Sequence, residues 1–599
     1  MRSPARVLNS LTKHSQTTEY RFERLYRILF NEEMYYLAYQ RIYARPGNMT
    51  QGADGKTIDR MSLSRIEKLI LSLKDESYSP QPSRRMYIPK KNGKTRPLGV
   101  PSFDDKLVQE VVRMVLEAIY EGHFEDTSHG FRPHRSCHTA LNAVQKTFTG
   151  KKWFIEGDIK GFFDNVNHDI LIDILKERIS DERSIRLIRK FLRAGYLEQW
   201  RFHGTYSGMP QGGIISPVLA NIYLDKLDKY MKEYATGFDR GNRVRACREY
   251  EALTYQKRLV MRELKTATNN VERKVLVKRL KEIDKTRSAM PCFDPMDGNF
   301  KRLKYVRYAD DFLIGIIVSK VKIKDDIKRF LADRLALELS DEKTLVTHTE
   351  KPAKFLGYEV TVRKSNLQKR NKRGSLSRVY GNKVRLKVTT EVIKKKLLEL
   401  CVLKFSYHNG HEQWIPKHRS ELINNDDLEI LDSYNAEIRG FYNYYSIANN
   451  ASELNTFHYI MQYSMYKTFA GKYRTTVRRI CRKYKRNGVF TVGYTVKNGQ
   501  VKERRLYNEG FKRKRPSYDR SIDRCPNPMP GVSTTSLIDR LKAQKCELCG
   551  AMDNLVMHHV RKLGELKGKE NWEKLMIARR RKTMAVCGSC HQKIHHGTF

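Results

Sequence analysis

Adjacent acids at Asp310 and Asp311 interrupt an apolar run, Val306 to Val318, whose one other charge is Arg307. Two carboxylates among strand-forming residues are costly to bury unless a cation meets them, and hard divalent cations prefer oxygen ligands. Tyr308-Ala309-Asp310-Asp311 reads as strand, tight turn and strand, with the acids displayed at the turn. Phosphoryl transfer between two metal ions needs bridging carboxylates, the ions lying ~3.5–4 Å apart, so a third acid is expected at a neighbouring strand end. Asp158 ends the apolar strand Trp153 to Ile159 and fits that role, whereas Asp164 precedes a helix and reads as its N-cap. Near the C-terminus, Cys546-x₂-Cys549 and Cys587-x₂-Cys590 have the spacing of a structural zinc site, Zn²⁺ being held by four thiolates. His558-His559 lies between the pairs, and His591 and His595 follow one helical turn apart.

The chain that positions these groups has 599 residues, enough for roughly three or four domains. It carries 115 Lys and Arg against 67 Asp and Glu, a net charge of +48, which attracts polyanions and makes nucleic acid the natural partner. A basic binding protein without catalysis accounts for the charge equally well but not for the acids. No apolar run approaches the ~20 residues of a membrane span. Met1 to Thr18 lacks the apolar core of a secretory signal; its basic, acid-poor start leaves an organellar presequence as the lesser alternative to a cytoplasmic, nucleoid-associated protein. Cys137, Cys247, Cys292, Cys401, Cys481 and Cys525 are scattered and read as reduced thiols of an intracellular protein.

Helical spacing predicts helices within 20–75, over 106–120, 165–195 and 323–338, and through 390–470. Tyr87 to Pro101 reads as a hairpin turning at Asn92-Gly93. Residues 230–300 are highly charged and suggest an inserted helical pair. Arg363 to Arg378 reads as a basic linker or loop, and Pro526 to Gly531 as a linker. From Lys472 to Arg486 there are eight basic and no acidic residues, interleaved with Tyr473 and Tyr484, which favours a surface that tracks phosphates.

Ordered blocks give the chain a resemblance. IPKKNGKTRPLGVPSF (88–103), HGFRPHRSCHTAL (129–141), EGDIKGFFDN (156–165), GMPQGGIISPVLANIYLDKLD (208–228), YVRYADDFLIG (305–315), LSDEKTLVTH (339–348) and FLGYEV (355–360) resemble a group II intron reverse transcriptase. The resemblance implies a multidomain α+β protein. Residues 1–365 would be right-hand fingers and palm, 387–470 an α-helical thumb or maturase domain, 471–540 a basic DNA-binding region, and 541–599 a ββα-metal HNH zinc module. It further implies that Lys90 and Arg96 grip the incoming triphosphate, that Phe163 gates the ribose 2′-hydroxyl, and that Gln211 lines the templating pair, Gly212 and Gly213 allowing close backbone approach. Lys343 would support the palm. Arg439, in RGFYNYY (439–445), and Lys472, Arg478, Arg479, Arg482 and Lys483 would face nucleic acid.

By resemblance to HNH endonucleases, His559 is a general base, a role that suits a neutral imidazole near pH 7. His558 and His591, with His595, would hold a catalytic metal. The motif's Asn would fall nine residues before His591, where Lys582 stands; Asn571 lies further upstream. Expected cofactors are two Mg²⁺ at the polymerase site, one at the nuclease and a structural Zn²⁺. Expected partners are the protein's own intron RNA, double-stranded target DNA and dNTPs, with a homodimer compatible. The activities expected are RNA-directed DNA synthesis, assistance to splicing, and nicking of one DNA strand to prime synthesis. Two alternatives stand beside this: a reverse transcriptase of retron or defence type, against which the RGFYNYY segment and HNH module speak, and a non-catalytic splicing factor, against which the three acids speak.

Overall fold

The computed structural model describes residues 3–44, 47–89, 95–199, 201–210, 212–294, 297–317, 321–363, 368–370, 376–378, 382–495, 500–519, 537–579 and 581–597. Its central sheet has four antiparallel strands in the order Leu303–Tyr308, Asp311–Ile316, Trp153–Asp158, Leu345–His348. The first two form a hairpin whose closing pair is Tyr308↔Asp311, with Ala309 in the left-handed region at φ +57°. Asp158 stands opposite Asp311 in the next pairing. Side chains alternate across a strand, and here both faces are covered. Ile155, Tyr305, Phe312 and Ile314 join a core with the N-terminal half, while Phe154, Val306 and Leu313 join a second core with the C-terminal helices. Double burial explains why the sequence around the acids is a continuous apolar run and not an alternating one.

Arg307 in that run is fully buried. Its guanidinium donates to both carboxylate oxygens of Asp228 (2.8 and 2.6 Å), to Ser128 Oγ (2.7 Å) and to the Ala309 carbonyl (2.8 Å). Asp228 lies on the helix Ser216–Phe238 and also accepts from Tyr305 Oη at 2.9 Å. A buried ion pair of this kind is tolerated because its remaining hydrogen-bonding capacity is met, and loss of one partner typically costs about 3–5 kcal/mol. The network ties the acidic turn to a helix from another part of the chain. Behind the turn, a Cβ built on Gly130 would sit 2.3 Å from the Ala309 nitrogen, so only glycine allows that approach.

The expected hairpin is Ser83–Pro89 with Thr95–Val100, extended to four strands by Tyr196–Glu198 and Arg201–His203; its turn, with Asn92 and Gly93, lies outside the described residues. Helix Pro4–Ser15 packs on helix Phe103–Tyr120, with Leu8 and Leu11 against the same core. The charged insertion is a helical pair, Arg248–Thr266 and Asn270–Ala289, with a small core of its own around Val260, Leu276 and Ile283.

Four expectations change. The 363–378 stretch is not wholly a loop: Gln368–Arg370 and Leu376–Arg378 pair as a ribbon. Residues 390–470 are not continuously helical, because Leu403–His408 and His411–Pro416 form a hairpin. Its turn, Asn409-Gly410, has φ +49° and +77°, the left-handed pair a two-residue turn demands. Asp164 sits inside the single turn Phe162–Asn165, and the N-cap of the following helix His168–Lys176 is Asn167. Finally, the C-terminal module, expected behind a linker, has a core of its own around Met576, Met584 and Val586 but also packs on the N-terminal half. Leu537, Ile538 and Leu541 of helix Leu537–Lys542, with Met557 and Ala585, share a core with Tyr39, Ile42, Ile58 and Met61. The thumb core likewise continues past 470 through Ile480, Phe490, Leu506, Tyr507 and Phe511.

Candidate active sites

Three carboxylates gather where the catalytic strands end. Burial pushes the Asp310 carboxyl upward and the Asp158 charge adds to that, while Arg96 and Lys343 pull it back. Asp311 is raised to about 7 by burial, reinforced by Asp310 and Asp158. Lys343 Nζ donates to Asp158 Oδ2 at 2.8 Å. Lys343 and Arg96 against three crowded acids leave negative charge uncompensated, and that excess is what divalent cations neutralise. Arg96, on the hairpin strand, is brought within electrostatic reach of Asp310.

Phe162 is core, at 2% exposure, and Phe163 beside it is half-buried, their rings 5.2 Å apart edge to face. Phe163 packs against the same core from its partly exposed side. At Gly212, φ +116°, a Cβ would sit 2.3 Å from the Gly99 carbonyl oxygen, so glycine is what lets this loop pack against the hairpin strand Thr95–Val100. Lys90 and Gln211 lie outside the described residues.

In the C-terminal module, Leu555–His559 and Thr583–Cys587 pair antiparallel, and Gly588–His596 follows as a helix. The sulfurs of Cys546, Cys549, Cys587 and Cys590 lie within 4.8 Å of one another, with Cys549 Sγ and Cys587 Sγ 3.7 Å apart. A tetrahedral ion with ligands at ~2.3 Å has edges of about 3.8 Å, so the set fits zinc. Although burial opposes it, the Cys546 thiol is drawn down to about 7 by backbone donors at Cys549, Cys587 and Leu548, as a thiolate ligand requires.

The histidines gather as expected, but around a residue the sequence did not suggest. Asp59 Oδ2 lies 3.0 Å from His591 Nε2 and 3.0 Å from His595 Nε2, and Asp59 Oδ1 lies 3.6 Å from His558 Nδ1. Burial works to raise the Asp59 carboxyl, yet the hydrogen bond from His591 and the surrounding rings hold it well below the usual range. Burial lowers His558 to about 4 and His559 to about 3, so both rings are neutral near pH 7. Both ring nitrogens of buried His558 have no hydrogen-bond partner, which is the signature of a side chain awaiting a cation. His559 is 5% exposed and bonded at Nε2 to Tyr39 Oη at 2.8 Å. Lys582 is exposed; Asn571 begins the helix Asn571–Arg579, and its neighbour Trp572 stands edge-on to His558 at 5.4 Å.

On the basic helix Val477–Tyr484, Arg478, Arg479, Arg482 and Lys483 are exposed while Ile480 anchors the other side. Lys472 departs from the expectation. Its ammonium is bound to Asp427 at 2.7 Å, and Tyr473 and Tyr484 bond the same carboxylate, so it braces two helices and is not free for phosphate. Arg439 is exposed, near Tyr507. Tyr434, Tyr442 and Tyr445 are core.

A carboxylate palm wedged between fingers and a helical thumb, with a ββα module behind it, defines a template-directed polymerase joined to a nuclease. The chain belongs to the group II intron-encoded proteins: it is a reverse transcriptase and maturase carrying an HNH endonuclease domain. Family models match residues 88–255 as reverse transcriptase (RNA-dependent DNA polymerase), 382–514 as type II intron maturase, and 546–591 as AI2M/AI1M-like HNH endonuclease. The chain is 44% identical over 606 residues, covering all of both proteins, to the group II intron-encoded protein LtrA of Lactococcus lactis subsp. cremoris. It is 33% identical to a 91 kDa protein in the cob intron of Schizosaccharomyces pombe, over 95% of this chain and 69% of that one. To nuclear intron maturase 1, mitochondrial, of Arabidopsis thaliana it is 23% identical over 63% of its own length and 57% of the relative's. Both enzyme families are generally metal-dependent. Among the described residues no helix is long and apolar enough to cross a membrane.

Proposed function

We propose that Asp158, Asp310 and Asp311 hold two Mg²⁺ ions, which when bound would activate the primer hydroxyl and neutralise the departing pyrophosphate. Lys343 fixes the Asp158 carboxylate, and Arg96 and Lys90 hold the triphosphate of the incoming dNTP. The observation that carries this reading is the convergence of three acids, two of them raised by burial and by their neighbours' charge, with Arg96 within electrostatic reach. Intron RNA and target DNA lie along Arg439 and the exposed face Arg478, Arg479, Arg482 and Lys483. At the nuclease, His558, His591 and His595 hold one metal ion, His559 takes the proton of the attacking water, and Zn²⁺ on the four cysteines is structural. The protein works in the cytoplasm, at the nucleoid when acting on DNA, as a monomer or homodimer. The test is incubation of the purified protein with RNA transcribed from the DNA flanking its gene. Splicing at low magnesium together with primer extension is expected; absence of both overturns the reading.

Half-buried Phe163 is the 2′-hydroxyl gate. Phe163→Val is expected to relieve a steric penalty of about 1–3 kcal/mol against ribonucleotides, read as a rise in their incorporation relative to deoxyribonucleotides. An unchanged ratio in a less stable protein makes Phe163 a core residue only.

A further inference from the structure

The polymerase part of the same chain reaches into the nuclease histidines. Two groups do this, and they meet both halves of the nuclease apparatus. Asp59 places its carboxylate among the three histidines, so that Asp59, His558, His591 and His595 each offer a ligand atom within 4.8 Å of the others. Tyr39 bonds the free ring nitrogen of His559. The segment bearing Asp59 is strapped to the module's edge strand: the His559 N–H donates to Asp59 Oδ1, and the Met557 N–H donates to the Met61 carbonyl, both at 2.8 Å. Between them Arg60 is held at φ +59°, a left-handed conformation costly for a residue with a Cβ.

Three imidazoles and one carboxylate complete a four-coordinate site, and on a six-coordinate ion such as Mg²⁺ or Mn²⁺ the carboxylate takes one of the three positions the imidazoles leave for water and substrate. The Asp59 carboxylate carries the charge and the oxygen donors of a backbone phosphate, so as a metal ligand it would compete with one. His558, buried with two unpartnered nitrogens, argues that an ion belongs in this pocket even while Asp59 is in place.

We propose that Asp59 is the fourth protein ligand of the nuclease metal and holds the nuclease shut, so that DNA cleavage requires the 57–61 segment to withdraw. This rests on the endonuclease reading above and adds to it a regulating ligand from the polymerase body. The metal would also latch the module in place, because Asp59 and the histidines that hold it come from opposite sides of the contact.

The test uses the full-length protein. Mn²⁺ is titrated calorimetrically into an Asp310→Ala/Asp311→Ala background, which removes the polymerase ions, and the nuclease step is identified as the one lost in His558→Ala. Asp59→Ala is expected to weaken that step at least tenfold. With polymerase acids intact and intron RNA bound, Asp59→Ala and Asp59→Asn are each expected to nick target DNA at least fivefold faster than the parent protein. Tyr39→Phe, which frees the base and leaves the ligands alone, should also nick faster without changing Mn²⁺ affinity. Unchanged Mn²⁺ binding in Asp59→Ala overturns the proposal, as does nicking by the parent that none of these variants raises. Failure of parent and variants alike to nick overturns the endonuclease reading with it.

Discussion

Asp310→Ala and Asp311→Ala are each expected to slow cDNA synthesis by at least about 10³-fold. Metal-held charge stabilisation in phosphoryl transfer is worth several kcal/mol, and each 1.36 kcal/mol is tenfold in rate. Affinity for intron RNA should stay within about twofold, because it comes from many dispersed cations in a chain of net charge +48. Folding should not suffer either: both carboxyls are raised by burial and by their neighbours' charge, so either substitution removes a repulsion. Primer extension and RNA binding measured on the same preparations check this, and substantial extension by both variants would remove these acids from the catalytic role.

Cys587→Ser is expected to cost the module its zinc and its fold. Structural zinc binding supplies about 10–16 kcal/mol of folding free energy in small fingers, and Cys587 both ends the strand Thr583–Cys587 and caps the helix Gly588–His596. Nicking should disappear. Because Met557, Ala585 and Leu541 share a core with Tyr39 and Met61, the damage should reach the polymerase body, lowering its melting temperature by several degrees while leaving extension of an added primer at low temperature. His559→Ala should lose nicking but keep its zinc. Metal analysis decides the matter: one zinc per chain retained in Cys587→Ser would show that the four sulfurs are not the structural site.

The polymerase acids were legible because a short strand, turn and strand carries them in eleven consecutive residues, and Asp158 follows its own apolar strand. The cysteine pairs were legible for the same local reason. The Asn409-Gly410 hairpin left a clear turn signal inside a stretch that helical spacing dominated. Lys472 looked like part of a basic surface because its partner, Asp427, is one helix away and invisible to a count of local charge. Arg307 did leave a trace, as a lone cation in an apolar run, but nothing local named Asp228. Asp59 left none: its partners lie some five hundred residues downstream, and only the fold brings them together.

The wedge behind Ala309 has a consequence for how this enzyme can be accurate. Gly130 abuts the turn's backbone and Arg307 fastens its carbonyl, so the acids sit on a tightly braced floor. If Arg96 and the loop bearing Gly212 contact the incoming nucleotide, as proposed above, error rate should respond to changes in those two segments more than to conservative changes in the floor, which would alter speed for all substrates alike.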